Sequence, residues 1–97
     1  MSLDYNRVLT AFLTAQPLRI GAYASTGDSL FYLQSEILRR HADGRVSFSA
    51  CGRPSATAKR RINDFFAAIG RPDRGTIRAG QFRLNDSPIS ATTRHFI

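Results

Sequence analysis

Cysteine occurs once, at Cys51, so no internal disulfide is open to this chain and its core must hold without a staple. A reducing, cytoplasmic setting suits such a chain. No apolar run approaches the ~20 residues that span a bilayer, and no basic-then-apolar leader precedes the first helical pattern. The expectation is a soluble intracellular protein with no membrane partner. One Cys and two separated histidines, His41 and His95, do not make up the usual metal-ligand sets. The nearest glycine-bearing stretches, Gly21 to Gly27 and Gly70 to Gly80, lack the pattern of a phosphate-binding loop. Neither histidine stands at a recognisable spacing from a carboxylate, and no nucleophile motif surrounds Cys51. The expectation is therefore a protein that is not an enzyme and uses no cofactor or metal. Lysine is nearly missing as well: thirteen of the fourteen basic side chains are arginine.

What is present is cationic and lopsided. Residues 1–34 hold two arginines against two aspartates, whereas residues 35–97 hold twelve Arg or Lys against five acids, which places the whole net charge of +7 there. Such asymmetry suggests a face for an anionic partner, either nucleic acid or an acidic protein surface. Twelve alanines accompany the arginines, and GC-rich coding, which favours both residues, is the competing explanation for Arg over Lys. It does not account for the confinement of the excess to one part of the chain. Arginine also has its own chemistry, since its planar fork grips phosphate bidentately and stacks on bases. With 97 residues, 42% of them hydrophobic, seven Phe and three Tyr, there is material for one modest core, and a single domain over 1–97 is expected.

The apolar spacing of Tyr5, Val8, Leu9, Phe12 and Leu13 predicts a helix over 4–15, ended by Gln16-Pro17. From Leu18 to Tyr23 the period becomes two, a half-buried strand, followed by a turn at 25–29. Residues 30–41 fit a helix through Leu30, Leu33, Ile37 and Leu38. They also fit a strand, which is favoured because Ala42-Asp43-Gly44 then turns the chain into an alternating strand over 45–51. Ala58, Ile62, Phe65, Phe66 and Ile69 mark a second helix, capped by Ser55 or Thr57 and stopped by Gly70. Residues 76–84 read as a fourth strand with a bulge at Gly80, because Ile77 and Phe82 fall out of phase. The expected architecture is α+β: a small antiparallel sheet of three to four strands with both helices on one face.

The best local signal is the start of the second helix. Lys59, Arg60 and Arg61 oppose the helix dipole there by roughly 0.3–1 kcal/mol each. With the Ser55 and Thr57 hydroxyls and the unpaired amides, they describe an anion site. Arg71, Arg74, Arg78 and Arg83 form a second group, the last two predicted to share a strand face, and Arg39, Arg40, Arg45 and Arg53 gather around hairpin ends. The segment 55–62 is echoed by 90–97, which adds Arg94 to the candidate contacts. Tyr23, Tyr32 and Phe82 are candidate stacking platforms, with core packing the competing fate.

Leu30-Phe31-Tyr32, Ile37-Leu38-Arg39-Arg40 and Ser55-Ala56-Thr57-Ala58-Lys59-Arg60, with Thr92-Thr93-Arg94-His95, resemble short proteins of phages and mobile elements. In these an extended segment and hairpin lead into a Thr-rich, Lys/Arg-His helix start. The resemblance implies a small accessory protein in the host cell cytoplasm. Two functions are thus expected: a non-enzymatic binding module contacting nucleic acid or a nucleoprotein complex, or an inhibitor of a host defence complex, similar in kind to inhibitors of CRISPR systems.

Overall fold

The computed structural model describes residues 3–49, 56–90 and 94–96. They form an α+β protein of two compact units, one comprising 1–48 with 96–97 and the other 49–95.

The first unit begins with α1 (Leu3–Leu13), whose Tyr5, Val8, Leu9 and Phe12 are buried at the predicted spacing. Leu13, expected in the same stripe, is 37% exposed at the helix end. What stops α1 is not the proline alone. Ala15 takes a left-handed conformation (φ 58°), and the bonds Gln16 N–H to Ala11 carbonyl and Ala15 N–H to Phe12 carbonyl complete a Schellman cap.

Five antiparallel strands follow as a meander, β1 (Pro17–Ile20), β2 (Tyr23–Thr26), β3 (Ser29–Tyr32), β4 (Ser35–Arg40) and β5 (Val46–Phe48). The two expected strands over 18–23 and 30–41 are each cut by a two-residue turn. Gly21-Ala22 joins Ile20 to its partner Tyr23, and Leu33-Gln34 joins Tyr32 to Ser35. Gly21 and Leu33 have positive φ, 58° and 56°, which is the conformation that reverses a hairpin. Residues 30–41 are therefore strand and not helix. The turn at 42–44 forms as expected, with Gly44 at φ 85° and His41 donating its N–H to the Arg45 carbonyl. A register shift opposite Ile37 lets both Ile37 and Leu38 be buried. Phe96, from the two-residue β9 (His95–Phe96), completes the sheet order β1-β2-β3-β4-β5-β9. α1 lies against β1, β2 and β3.

The second unit contains α2 (Ala56–Ala68) and a separate sheet of β6 (Gly75–Arg78), β7 (Gln81–Leu84) and β8 (Ser87–Pro88). Ala58, Ile62, Phe65 and Phe66 are buried on one side of α2, which lies against β6. Gly70 (φ 73°) closes the helix with the same Schellman bonds seen after α1.

Two expectations are corrected here. The helices do not share one sheet face, because the strands divide into two sheets and each helix covers its own. Gly80 is not a bulge: Ala79 and Gly80, at φ 53° and 76°, form a two-residue turn of type I′ character between β6 and β7. Opposite residues of a hairpin share a face, so Ile77 pairs with Phe82 and the phase slip read from the sequence is the turn itself. Asn85 and Asp86, at φ 51° and 68°, repeat the device between β7 and β8.

Candidate functional site

The charge follows the unit boundary. Nine basic side chains against three acidic ones give the second unit a formal charge of +6, whereas the first carries five against four. The cationic surplus is therefore a property of the second unit.

Its sheet has two unlike faces. Phe82 is 1% exposed on one, close to Asn63 of α2: a Cβ added at Gly75 would meet Phe82 Cζ at 2.9 Å and Asn63 Oδ1 at 3.5 Å. Asn63 also closes the β6 edge, accepting from the Gly75 N–H (2.7 Å) and donating to the Gly75 carbonyl (2.9 Å). The other face carries the residues of opposite parity, with Thr76 across from Arg83 and Arg78 across from Gln81. Arg78 and Arg83 are thus diagonal neighbours on adjacent strands. They line a concavity of about 280 Å³ together with Thr76, Ile77 and Asp86. Arg83 is half-buried and its guanidinium donates to the Asp86 carbonyl, which orients it, while Arg78 is exposed. Among the described residues, neither forms an ion pair with a carboxylate.

The remaining candidates are dispersed. Arg60 lies almost diametrically opposite the buried stripe of α2 and is exposed, so it looks out on the side of the helix away from the sheet. It does not join Arg78 and Arg83 on one surface. Lys59 and Thr57 are half-buried beside it, and Ser55 lies outside the described residues, as do Cys51 and Arg53. Arg61 is turned inward, 6% exposed, and pairs with Asp64 at 3.1 Å. Arg71 binds Asp73 at 2.6 Å. That guanidinium and the Asn85 amide, both donating to it, hold the Asp73 carboxyl below the usual carboxylate range. Arg74 is exposed and unpaired among the described residues, its backbone tied to Asn85. Arg94 is half-buried.

In the first unit the hairpin-end arginines hold the fold together. Arg40 donates to the carbonyls of Gly27 (2.5 Å) and Phe12 (2.7 Å) and lies 4.6 Å over the Phe12 ring. Arg39 pairs with Glu36, and Arg45 stacks 4.4 Å over Phe96. His41 Nε2 bonds the buried Ser47 hydroxyl at 2.8 Å. Tyr23 packs on Tyr32 and on Tyr5, with ring centroids 5.2 and 5.1 Å apart. Spacing alone did not reveal the Arg40 and Asn63 roles, because each joins residues far apart in the chain.

Among the described residues no group of three His, Cys, Asp or Glu is placed to hold a metal ion. None of the described helices is long and apolar enough to cross a membrane. Compared with known protein families, curated proteins and solved structures, the chain matches none.

Proposed function

We propose that the protein is a non-enzymatic basic binding module that contacts nucleic acid, alone or within a nucleoprotein complex, through the arginines of its second unit. One observation carries this reading: the charge surplus is concentrated in that unit, and Arg60, Arg74 and Arg78 are exposed there with no ion pair among the described residues. Arg61 and Arg71, by contrast, are taken up by carboxylates of the same unit. Unspent guanidinium groups release condensed counterions when they meet phosphates, and that release drives association. Phosphate contacts of this kind fix position and carry little sequence information.

Filter retention of labelled DNA and RNA at low salt tests the reading, and retention of at least one of them is expected. Absence of retention for every nucleic acid ends it. Capture of a host protein that survives nuclease digestion, with no retention of nucleic acid, would mark the basic surface as a dock for an acidic protein complex.

A further inference from the structure

Two hairpin turns stand side by side at one end of the first unit's sheet. Gly21-Ala22 joins β1 to β2 and Leu33-Gln34 joins β3 to β4, and the Leu33 N–H donates to the Ala22 carbonyl at 2.7 Å, tying the tips together. In each turn only the first residue is at positive φ, 58° for Gly21 and 56° for Leu33. Two-residue turns of that pattern take glycine at the first position, because a Cβ there crowds the backbone. The first turn has glycine and the second has leucine. Among the described residues the other non-glycine positions at positive φ are Ala15, Ala79, Asn85 and Asp86, which are small or of the polar kind that tolerates it. Leu33 is also 65% exposed, so little packing offsets the strain. A single exposed leucine needs no account. One held out in water on a strained backbone does, and strain of this kind collects at ligand contacts.

We infer that Leu33 is one wall of a docking site for an extended peptide segment of a partner protein, a segment that carries an apolar side chain next to a carboxylate. Arg19, Leu33, Gln34 and Ser35 line a concavity of about 650 Å³, within the roughly 300–1,000 Å³ of ligand sites. Arg19 is exposed and, among the described residues, in no ion pair, so it is the complement of a carboxylate. Leu33 supplies the apolar surface, and the Gln34 amide and Ser35 hydroxyl supply hydrogen-bonding groups. A second copy of this chain suits the site poorly, because two copies at net +7 repel each other. The extended form follows from β1, which ends the sheet order. Ile20 pairs with Tyr23 beside the turn, so Arg19, one residue back, turns its backbone N–H and carbonyl away from β2 to the open edge. A strand laid there bonds Arg19 through the main chain and sends alternate side chains to the concavity's side of the sheet. Pro17, with no N–H to offer, keeps the contact short.

Selection of random short peptides displayed on phage against the full chain, followed by fluorescence anisotropy of the enriched sequences as labelled synthetic peptides, tests this. Enriched peptides should carry Asp or Glu beside an apolar residue. Arg19→Gln and Leu33→Asn should each weaken their binding about fivefold or more. Leu33→Asn should at the same time raise the urea midpoint of unfolding, because asparagine tolerates positive φ better than leucine does. A lowered midpoint would show that leucine serves the fold, and overturns the inference. A selection that enriches nothing overturns it too. So do acidic peptides that bind both variants as tightly as the parent chain, since those sit on the cations of the second unit. None of these outcomes bears on the nucleic-acid reading, which rests on other residues.

Discussion

Arg60 and Arg61 are sequence neighbours with opposite situations, one exposed on the outer side of α2 and one buried against Asp64. Arg61→Ala leaves that carboxylate without its cation and removes a packed stem, and should lower unfolding free energy by roughly 1–3 kcal/mol in a urea titration. Arg60→Ala, measured the same way, should stay within about 0.5 kcal/mol. Arg40→Ala removes two charge-assisted bonds and a ring contact across α1, the β2–β3 turn and β4, for an expected loss of roughly 2–4 kcal/mol. Asp73 supplies a pH readout: its folded-state carboxyl titrates low, so its contribution is present above the unfolded value and fades as pH falls through the folded one. An NMR titration should place its midpoint below the ordinary carboxylate range, and Arg71→Ala should move it up. The sequence groups the cations by position and does not separate those with internal partners from those without. Which are structural depends on carbonyls and carboxylates brought close by folding, such as Phe12 to Arg40, and no local pattern announces those.

Both helices end in a Schellman cap, but only α2 has glycine at the left-handed position, where α1 has Ala15 at φ 58°. Ala15→Gly should therefore stabilise, by about 0.5–1 kcal/mol in thermal melts, while Gly70→Ala should cost a similar amount. At the β6 edge, Asn63→Ala leaves the Gly75 N–H and carbonyl without their partner and should cost roughly 1–3 kcal/mol. The helices and their apolar faces were readable because the 3.6-residue stripe at Tyr5–Phe12 and Ala58–Phe66 records burial directly. The strand count was not. A two-residue turn and a bulge both flip the alternation by one residue, and Leu33-Gln34 and Ala79-Gly80 lack the Asn-Gly pair that marks a hairpin.

At the scale of the whole molecule, the charge step read at residue 35 belongs at the unit boundary: the first unit is close to neutral and turns Arg39, Arg40 and Arg45 onto its own carboxylates, carbonyls and rings, and the second carries +6. That Arg78 and Arg83 share a face was legible from the phase slip, though its cause was misassigned. That Arg60 faces away from them was not legible, since it depends on which side of the sheet the helix covers. Affinity for a random-sequence duplex, followed between about 50 and 200 mM salt, measures the central claim directly. Log affinity should fall linearly with log salt, by ~0.9 per phosphate neutralised, and Arg78→Ala with Arg83→Ala should flatten that slope by about two. Affinity indifferent to salt, or a slope the double substitution leaves unchanged, would contradict it.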